Sequence, residues 1–240
     1  MINKTTFSID LNCLGINLSD NQLCLFDRYF DLLISENKKF NLTSITDRDE
    51  VYKKHFIDSL SICKYDFNFS QNLKVIDVGS GAGFPGIPLK IVFPELDITL
   101  VDSLNKRVGF LEDVISSLNL QKINAIHGRA EELAHMPTFR EQFDICVSRA
   151  VANLNTLSEY CLPFVKVGGL FISYKSENIE SELDGVDNCL SLLGGELDKQ
   201  VFLTLPYSDI SRILIGINKI NNTPIKYPRR AGLPGKRPLR

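Results

Sequence analysis

Apolar residues in the second two-thirds of the chain come in short, nearly continuous runs separated by segments of mixed polarity. Runs at 73–78, 98–102, 123–127, 143–148 and 168–174 read as strands buried on both faces. The segments between them, at about 86–93, 105–118, 130–136 and 153–162, read as helices. A further helix is expected over 177–193, ended by Gly194 and Gly195, followed by strands at 199–205 and 212–219. Strand–helix alternation implies a parallel sheet with helices on both faces. The last two strands, joined over 205–211, predict an antiparallel hairpin at the sheet end. The expected fold class is α/β, with seven strands, mostly parallel.

The first 70 residues read differently. Apolar positions 23, 25, 26, 29, 30, 32, 33 and 34 have helical spacing, opened by Ser19 or Asp20 as a cap. A second helix is expected from about 47 to 63, with Asp47 as cap and Glu50 completing a capping box. Residues 64–72 look like a linker. Three parts are therefore expected: an N-terminal helical extension (1–70), an α/β domain (71–220) and a tail (221–240). Prolines at 224, 228, 234 and 238 predict an extended tail without a packed helix.

Composition narrows the class. With 240 residues, 44% of them hydrophobic, the chain can bury one sizeable core. It has no apolar run long enough to span a membrane and no basic-then-apolar leader, so a cytoplasmic protein is expected. Six scattered cysteines without a Cys-x-x-Cys pair read as reduced core residues, and the three histidines lack ligand spacing, so no metal is expected. Nothing in the pattern demands a dimer, and a monomer is expected. The net charge of −2 hides an asymmetry: residues 219–240 carry seven Lys or Arg and no acid. An acidic body with a basic tail points to a localised polyanion contact, or to a solvated, disordered tail.

Chemistry concentrates at residues 73–86, Leu-Lys-Val-Ile-Asp-Val-Gly-Ser-Gly-Ala-Gly-Phe-Pro-Gly. A buried strand that turns through glycines into a helix start is how open α/β sheets build nucleotide pockets. Two ligands fit these letters. Gly81-x-Gly83-x-x-Gly86 matches the dinucleotide fingerprint, with Asp102 about 20 residues on for a ribose. Asp77 at the strand end favours S-adenosylmethionine instead. Its carboxylate repels a pyrophosphate but attracts an ammonium and a sulfonium. Seven strands ending in a hairpin also match class I methyltransferases better than the six-stranded dinucleotide sheet. A glycine turn with no ligand is the plain alternative. Downstream, Gly128-Arg-Ala-Glu-Glu132 follows the third strand, where the backbone of Ala130 and Glu131 is placed for an adenine edge; an acid-rich helix start explains it equally well. Arg149, after the fourth strand, is either a bidentate anion ligand or a solvent-facing strand end. There is no Asn/Asp-Pro-Pro-aromatic motif and no Pro-Cys dipeptide, so neither amine methylation by that motif nor covalent attack on a pyrimidine is indicated.

Several blocks together carry a resemblance. They are Asn41-Leu-Thr-Ser-Ile, His55-Phe-Ile-Asp-Ser-Leu60, Asp77–Leu89, Leu100–Arg107, Gly128-Arg-Ala-Glu-Glu, Phe143-Asp…Ser148-Arg-Ala, Gly168-Gly…Lys175 and Tyr227-Pro-Arg-Arg…Pro234-Gly-Lys-Arg-Pro-Leu239. From about residue 20 to 239 the chain resembles the bacterial small-subunit rRNA guanine-N7 methyltransferases, also called glucose-inhibited division protein B. The resemblance implies a class I, Rossmann-like, S-adenosylmethionine-dependent enzyme. Its substrate would be 16S rRNA or the small ribosomal subunit, methylated at N7 of guanosine 527 in the 530 loop. It places Asp77, Gly79, Gly81, Gly83 and Phe84 at the cofactor, with Asp102, Ser103 and Leu104 at its ribose and adenine. Ala130 and Glu131 would bind adenine. Arg149 would close the cofactor site or meet the target nucleotide, and Lys175 would contact a phosphate near the methyl group. Lys53, Lys54, Arg229, Arg230, Lys236 and Arg237 are the expected RNA contacts. Phe84 or Tyr174 is a candidate for stacking on the displaced base.

Overall fold

The structure, a computed structural model, describes residues 4–69, 71–149, 152–176 and 179–240. Among them, seven strands form one sheet in the order β3-β2-β1-β4-β5-β7-β6. They are β1 (Lys74–Val78), β2 (Asp97–Asp102), β3 (Ile123–His127), β4 (Phe143–Ser148), β5 (Val165–Lys175), β6 (Gly195–Thr204) and β7 (Ser211–Lys219). β1 through β5 pair in parallel, whereas β7 runs antiparallel to both β5 and β6. The predicted seven-stranded α/β sheet and its closing hairpin are both present.

Alternation along the central strands divides the interior in two. Val75, Ile98, Leu100, Ile145 and Val147 face one core with the N-terminal helices, α5 (Gly86–Val92) and α6 (Asn105–Ser117). Ile76, Val78, Val101, Cys146 and Phe171 face a second core with α7 (Ala130–Leu133), α8 (Leu154–Cys161) and α10 (Val186–Leu193). The expected helix over 177–193 is broken: α9 (Glu180–Leu183) and α10 are separated by Gly185 at φ +71°. Its first two residues, 177 and 178, lie outside the described residues.

The N-terminal helices belong to the first core. α1 (Lys4–Cys13) contributes Phe7 and Leu11 to it. α2 (Asp20–Asn37) opens on Ser19, and Gln22 returns the bond to close a capping box. Asp47 caps α3 (Arg48–Val51) through the Glu50 N–H. The Glu50 side chain instead reaches Lys54 at 2.6 Å, so only half of that box forms. The expected single helix then changes pitch. A π-helical turn at Tyr52–Ile57 leads into α4 (Asp58–Leu60) and a 3₁₀ turn at Ser61–Tyr65. The rings of Phe7, Phe26, Tyr29, Tyr52, Phe56 and Phe84 pack edge to face, tilted or, for Tyr29 on Phe56, stacked around this turn.

The tail differs from its expectation. It docks on the second core and ends in a four-residue helix, α11 (Leu233–Lys236), with Tyr227 and Pro234 buried. The Arg140 guanidinium donates to the carbonyls of Thr223 (2.6 Å), Tyr227 (3.0 Å) and Pro224 (3.2 Å), holding the entry to the tail. Asn155 donates to the Leu239 carbonyl at 2.8 Å near its end.

Candidate active site

Strand order reverses between β1 and β4, which opens a crevice at the carboxyl ends of the parallel strands. After β1 the chain turns through Gly79 (φ +78°), Gly81 (φ +60°) and Gly83 (φ +99°), a left-handed course that glycine follows without strain. Gly79 and Ser80 donate their N–H groups to the Val101 carbonyl at 2.9 and 3.1 Å, which ties the turn to β2.

Two buried carboxylates organise this turn. Asp77 accepts the Gly86 N–H at 2.9 Å through Oδ2 and so fixes the start of α5. Its Oδ1 is buried with no partner. Burial pushes the Asp77 carboxyl up to about 7, against the smaller opposing pulls of Gly86, Ser80 and Arg149. Asp102 accepts from Gly81 N–H through Oδ2 and from Leu104 N–H through Oδ1, each at 2.9 Å. Arg107 lies 3.4 Å from the same carboxylate.

Two cavities flank these groups. The smaller, of about 260 Å³, is lined by Gly79, Asp102, Ser103, Ala130, Glu131, Ala152, Tyr160 and Gly232, among others. Five of the residues expected at a cofactor are thus brought together here. Leu104 is exposed just beyond, at the N-cap of α6. Glu131 takes part through its side chain as well, because its Oε1 accepts the Gly232 N–H at 2.9 Å.

The larger cavity, of about 730 Å³, shares Ala152 with the first. Lys54, His55, Asp58, Arg149, Tyr174, Lys175, Glu182 and Arg212 line it. Asp58, 3% exposed, joins two arginines: Arg149 Nη1 donates to Oδ2 at 3.0 Å and Arg212 Nε to Oδ1 at 2.8 Å. Arg149 also donates to the Lys54 carbonyl at 3.1 Å and lies over the Phe84 ring at 5.0 Å. His55 stacks on Phe84 at 4.6 Å. Burial, with the Arg149 charge second, pushes the His55 imidazole down to about 4. Lys175 donates to Glu182 Oε2 at 2.6 Å and to the Ala152 carbonyl.

Some expected residues have other partners here. Phe84, 5% exposed and covered by His55 and Arg149, has no face left for a base. Tyr174 is buried, its hydroxyl donating to the Ser59 carbonyl at 2.8 Å. Lys53 is spent on Asp10 and the Pro206 carbonyl. Arg229 forks onto Glu159, at 2.9 Å from Nε and 2.7 Å from Nη2. Arg230, Lys236 and Arg237 are exposed. Conversely, Asp58, Tyr160, Arg212 and Gly232 were not singled out for the site. Arg212 had a signal: β7 runs antiparallel to β5 with Ile213 opposite Lys175, so a residue at its start lies at the carboxyl edge.

Sheet order, hairpin and glycine turn together define a class I S-adenosylmethionine-dependent methyltransferase fold. Solved structures share it: M. jannaschii TYW2 in complex with AdoMet has TM-score 0.52 and 15% identity, over 65% of this chain and 73% of that one. The M. jannaschii fibrillarin pre-rRNA processing protein has TM-score 0.50 and 15% identity, over 65% and 70%. The family described as rRNA small subunit methyltransferase G matches residues 22–208. Ribosomal RNA small subunit methyltransferase G of Alkaliphilus metalliredigens is 51% identical over 227 residues, 95% of each chain. That of Acetivibrio thermocellus is 52% identical over 225 residues, 94% of this chain and 92% of the other. The chain belongs to the rRNA small subunit methyltransferase G family.

Proposed function

We propose that the protein transfers a methyl group from S-adenosylmethionine to N7 of guanosine 527 in the 530 loop of 16S rRNA, acting as a monomer in the cytoplasm. The observation that carries this reading is the adjacency of the two cavities. A small one with a carboxylate at its rim opens beside a larger one lined by four cations, Lys54, Arg149, Lys175 and Arg212.

The residues present suit the donor. Asp77 Oδ1 is a buried acceptor with no partner, next to the glycine turn. A cationic ligand beside it supplies the missing partner, whereas a pyrophosphate would not. Asp77, Gly79, Gly81 and Gly83 would hold the amino-acid end. Asp102 would hold the ribose, and Ser103, Leu104, Ala130 and Glu131 the adenine. When bound, S-adenosylmethionine supplies an electrophilic methyl group on a sulfonium.

Guanine N7 presents a lone pair and no proton, so the acceptor needs no general base. The larger cavity agrees with that requirement. His55, pushed down to about 4, is a weak base, and the carboxylates Asp58 and Glu182 are already paired with Arg149, Arg212 and Lys175. Catalysis then rests on alignment, which contributes up to roughly 7–11 kcal/mol when two reactants are well placed. Arg149, in the wall of the larger cavity, would with Lys175 hold the target nucleotide. The RNA backbone falls to Lys54, Arg230, Lys236 and Arg237. The surface pair Lys54–Glu50 is worth only a few tenths of a kcal/mol, about the scale of exposed helix pairs, so RNA displaces it easily.

The acceptor atom has a direct test. An RNA fragment carrying 7-deazaguanosine at the target lacks the N7 lone pair but keeps the Watson–Crick edge. It should take no methyl group while the unmodified fragment is labelled. Equal labelling of both would assign the methyl group to another atom.

A further inference from the structure

The C-terminal segment 229–237 has two faces, and the site described above uses one of them. Its inner face is part of the small cavity. Gly232 lines that cavity and donates its N–H to the buried Glu131 carboxylate at 2.9 Å. The segment is moored by Arg229, whose backbone N–H and guanidinium all converge on Glu159. Glu159 is 0% exposed and sits on α8, the helix that also lends Leu157 and Tyr160 to the cavity. Arg229 Nη2 further donates to the Arg237 carbonyl at 2.7 Å, folding the far end of the segment back onto its start. On the outer face, Arg230, Lys236 and Arg237 are exposed, and among the described residues no carboxylate pairs with them.

We propose that this segment serves donor and RNA at once. Its inner face is a wall of the S-adenosylmethionine site, held by Arg229 and Glu159 as positioning residues, and its outer face binds the RNA backbone. The inference rests on the donor and substrate class proposed above. Its physical basis is the short path between the faces. Arg229, the mooring, and Arg230, the outward cation, are neighbours in sequence, and Gly232 is two residues on. Losing the mooring lets the wall move without touching any group that contacts the donor. Removing the outward charges leaves the mooring intact. Buried, forked ion pairs hold geometry in a way that surface pairs do not.

The test separates the faces. Donor affinity is measured by calorimetry, and transfer kinetics are measured on 16S RNA well below each variant's melting temperature. Arg229→Ala should weaken S-adenosylmethionine binding about tenfold and raise its KM, with kcat at saturating donor unchanged. Because that change strands a buried carboxylate, Glu159→Leu with Arg229→Met removes both charges together and should show the same split. The triple variant Arg230→Ala, Lys236→Ala, Arg237→Ala should keep wild-type donor affinity. Its RNA affinity should fall, and its salt slope should drop by about two. A folded Arg229 variant with wild-type donor affinity would overturn the inner-face assignment. An unchanged salt slope in the triple variant would overturn the outer one. If the wild type bound donor but methylated no RNA, the substrate reading would fail, while the calorimetric arm would still decide the wall.

Discussion

At the scale of single residues, Asp77 shows best how burial at a strand end changes a carboxyl group. Its carboxyl is raised to about 7 by burial, above the usual value near 4 that it has in the unfolded chain. The folded protein therefore holds an extra proton between those values. Its contribution to stability is fully present below about pH 4 and is lost as pH rises through about 7. In the proposed site, the anion gained on that same rise is the form that would attract the donor's ammonium. Two other charges bear on it: Arg149 favours the anion and Asp102 opposes it. Donor affinity should thus tighten about tenfold between pH 6 and pH 8, with release of a proton. Asp77→Asn should bind more weakly and show no such slope. A wild-type affinity flat across that range would exclude Asp77 as the titrating group. Asp77 and Asp102 were legible because each closes an apolar run at a strand end. Asp58 and Arg212 were not, because what makes them a pair is a contact across 154 residues.

At the scale of elements, the strands were legible because they are buried on both faces and leave unbroken apolar runs. α2 was legible from its period and its cap. α1 was not: it precedes any obvious cap, and few of its residues are apolar. Nor was the π-helical turn, which reorganises the expected helix while its letters stay helix-forming. The docked tail was hidden for a different reason. Its anchors Glu131, Arg140, Asn155 and Glu159 lie 70 to 101 residues away in sequence, and no local pattern announces them. One element-scale prediction concerns the turn into α5. A methyl group at Gly86 would overlap Leu100 and stand 2.9 Å from Asp77 Oδ2. Gly86→Ala should cost about 1–3 kcal/mol, the usual penalty for overpacking, and lower the urea midpoint. Gly109→Ala, in α6 with open space around it, should instead stabilise by about 0.5–1 kcal/mol. Equal midpoints for the two variants would show that α5 does not pack against the β1 turn as closely as described.

At the scale of the whole molecule, the sheet order brings the ends of β1, β2, β4 and β5 and the start of β7 to one edge. The carboxylates Asp77 and Asp102 gather beside the glycine turn at that edge. The cations gather on the other side and along the tail. A net charge of −2 conceals this division, which suits the proposed meeting of a cationic donor and a polyanionic acceptor where the two cavities share Ala152. The family match accounts for methylation of small-subunit rRNA. The acceptor atom and its position in the 530 loop remain the central claim. The most direct measurement is transfer from methyl-labelled S-adenosylmethionine to 16S RNA and small subunits from cells lacking this gene, with the labelled nucleoside identified and mapped. The account predicts 7-methylguanosine at one position, guanosine 527. Label in any other nucleoside or loop, or none with donor binding intact, would contradict it.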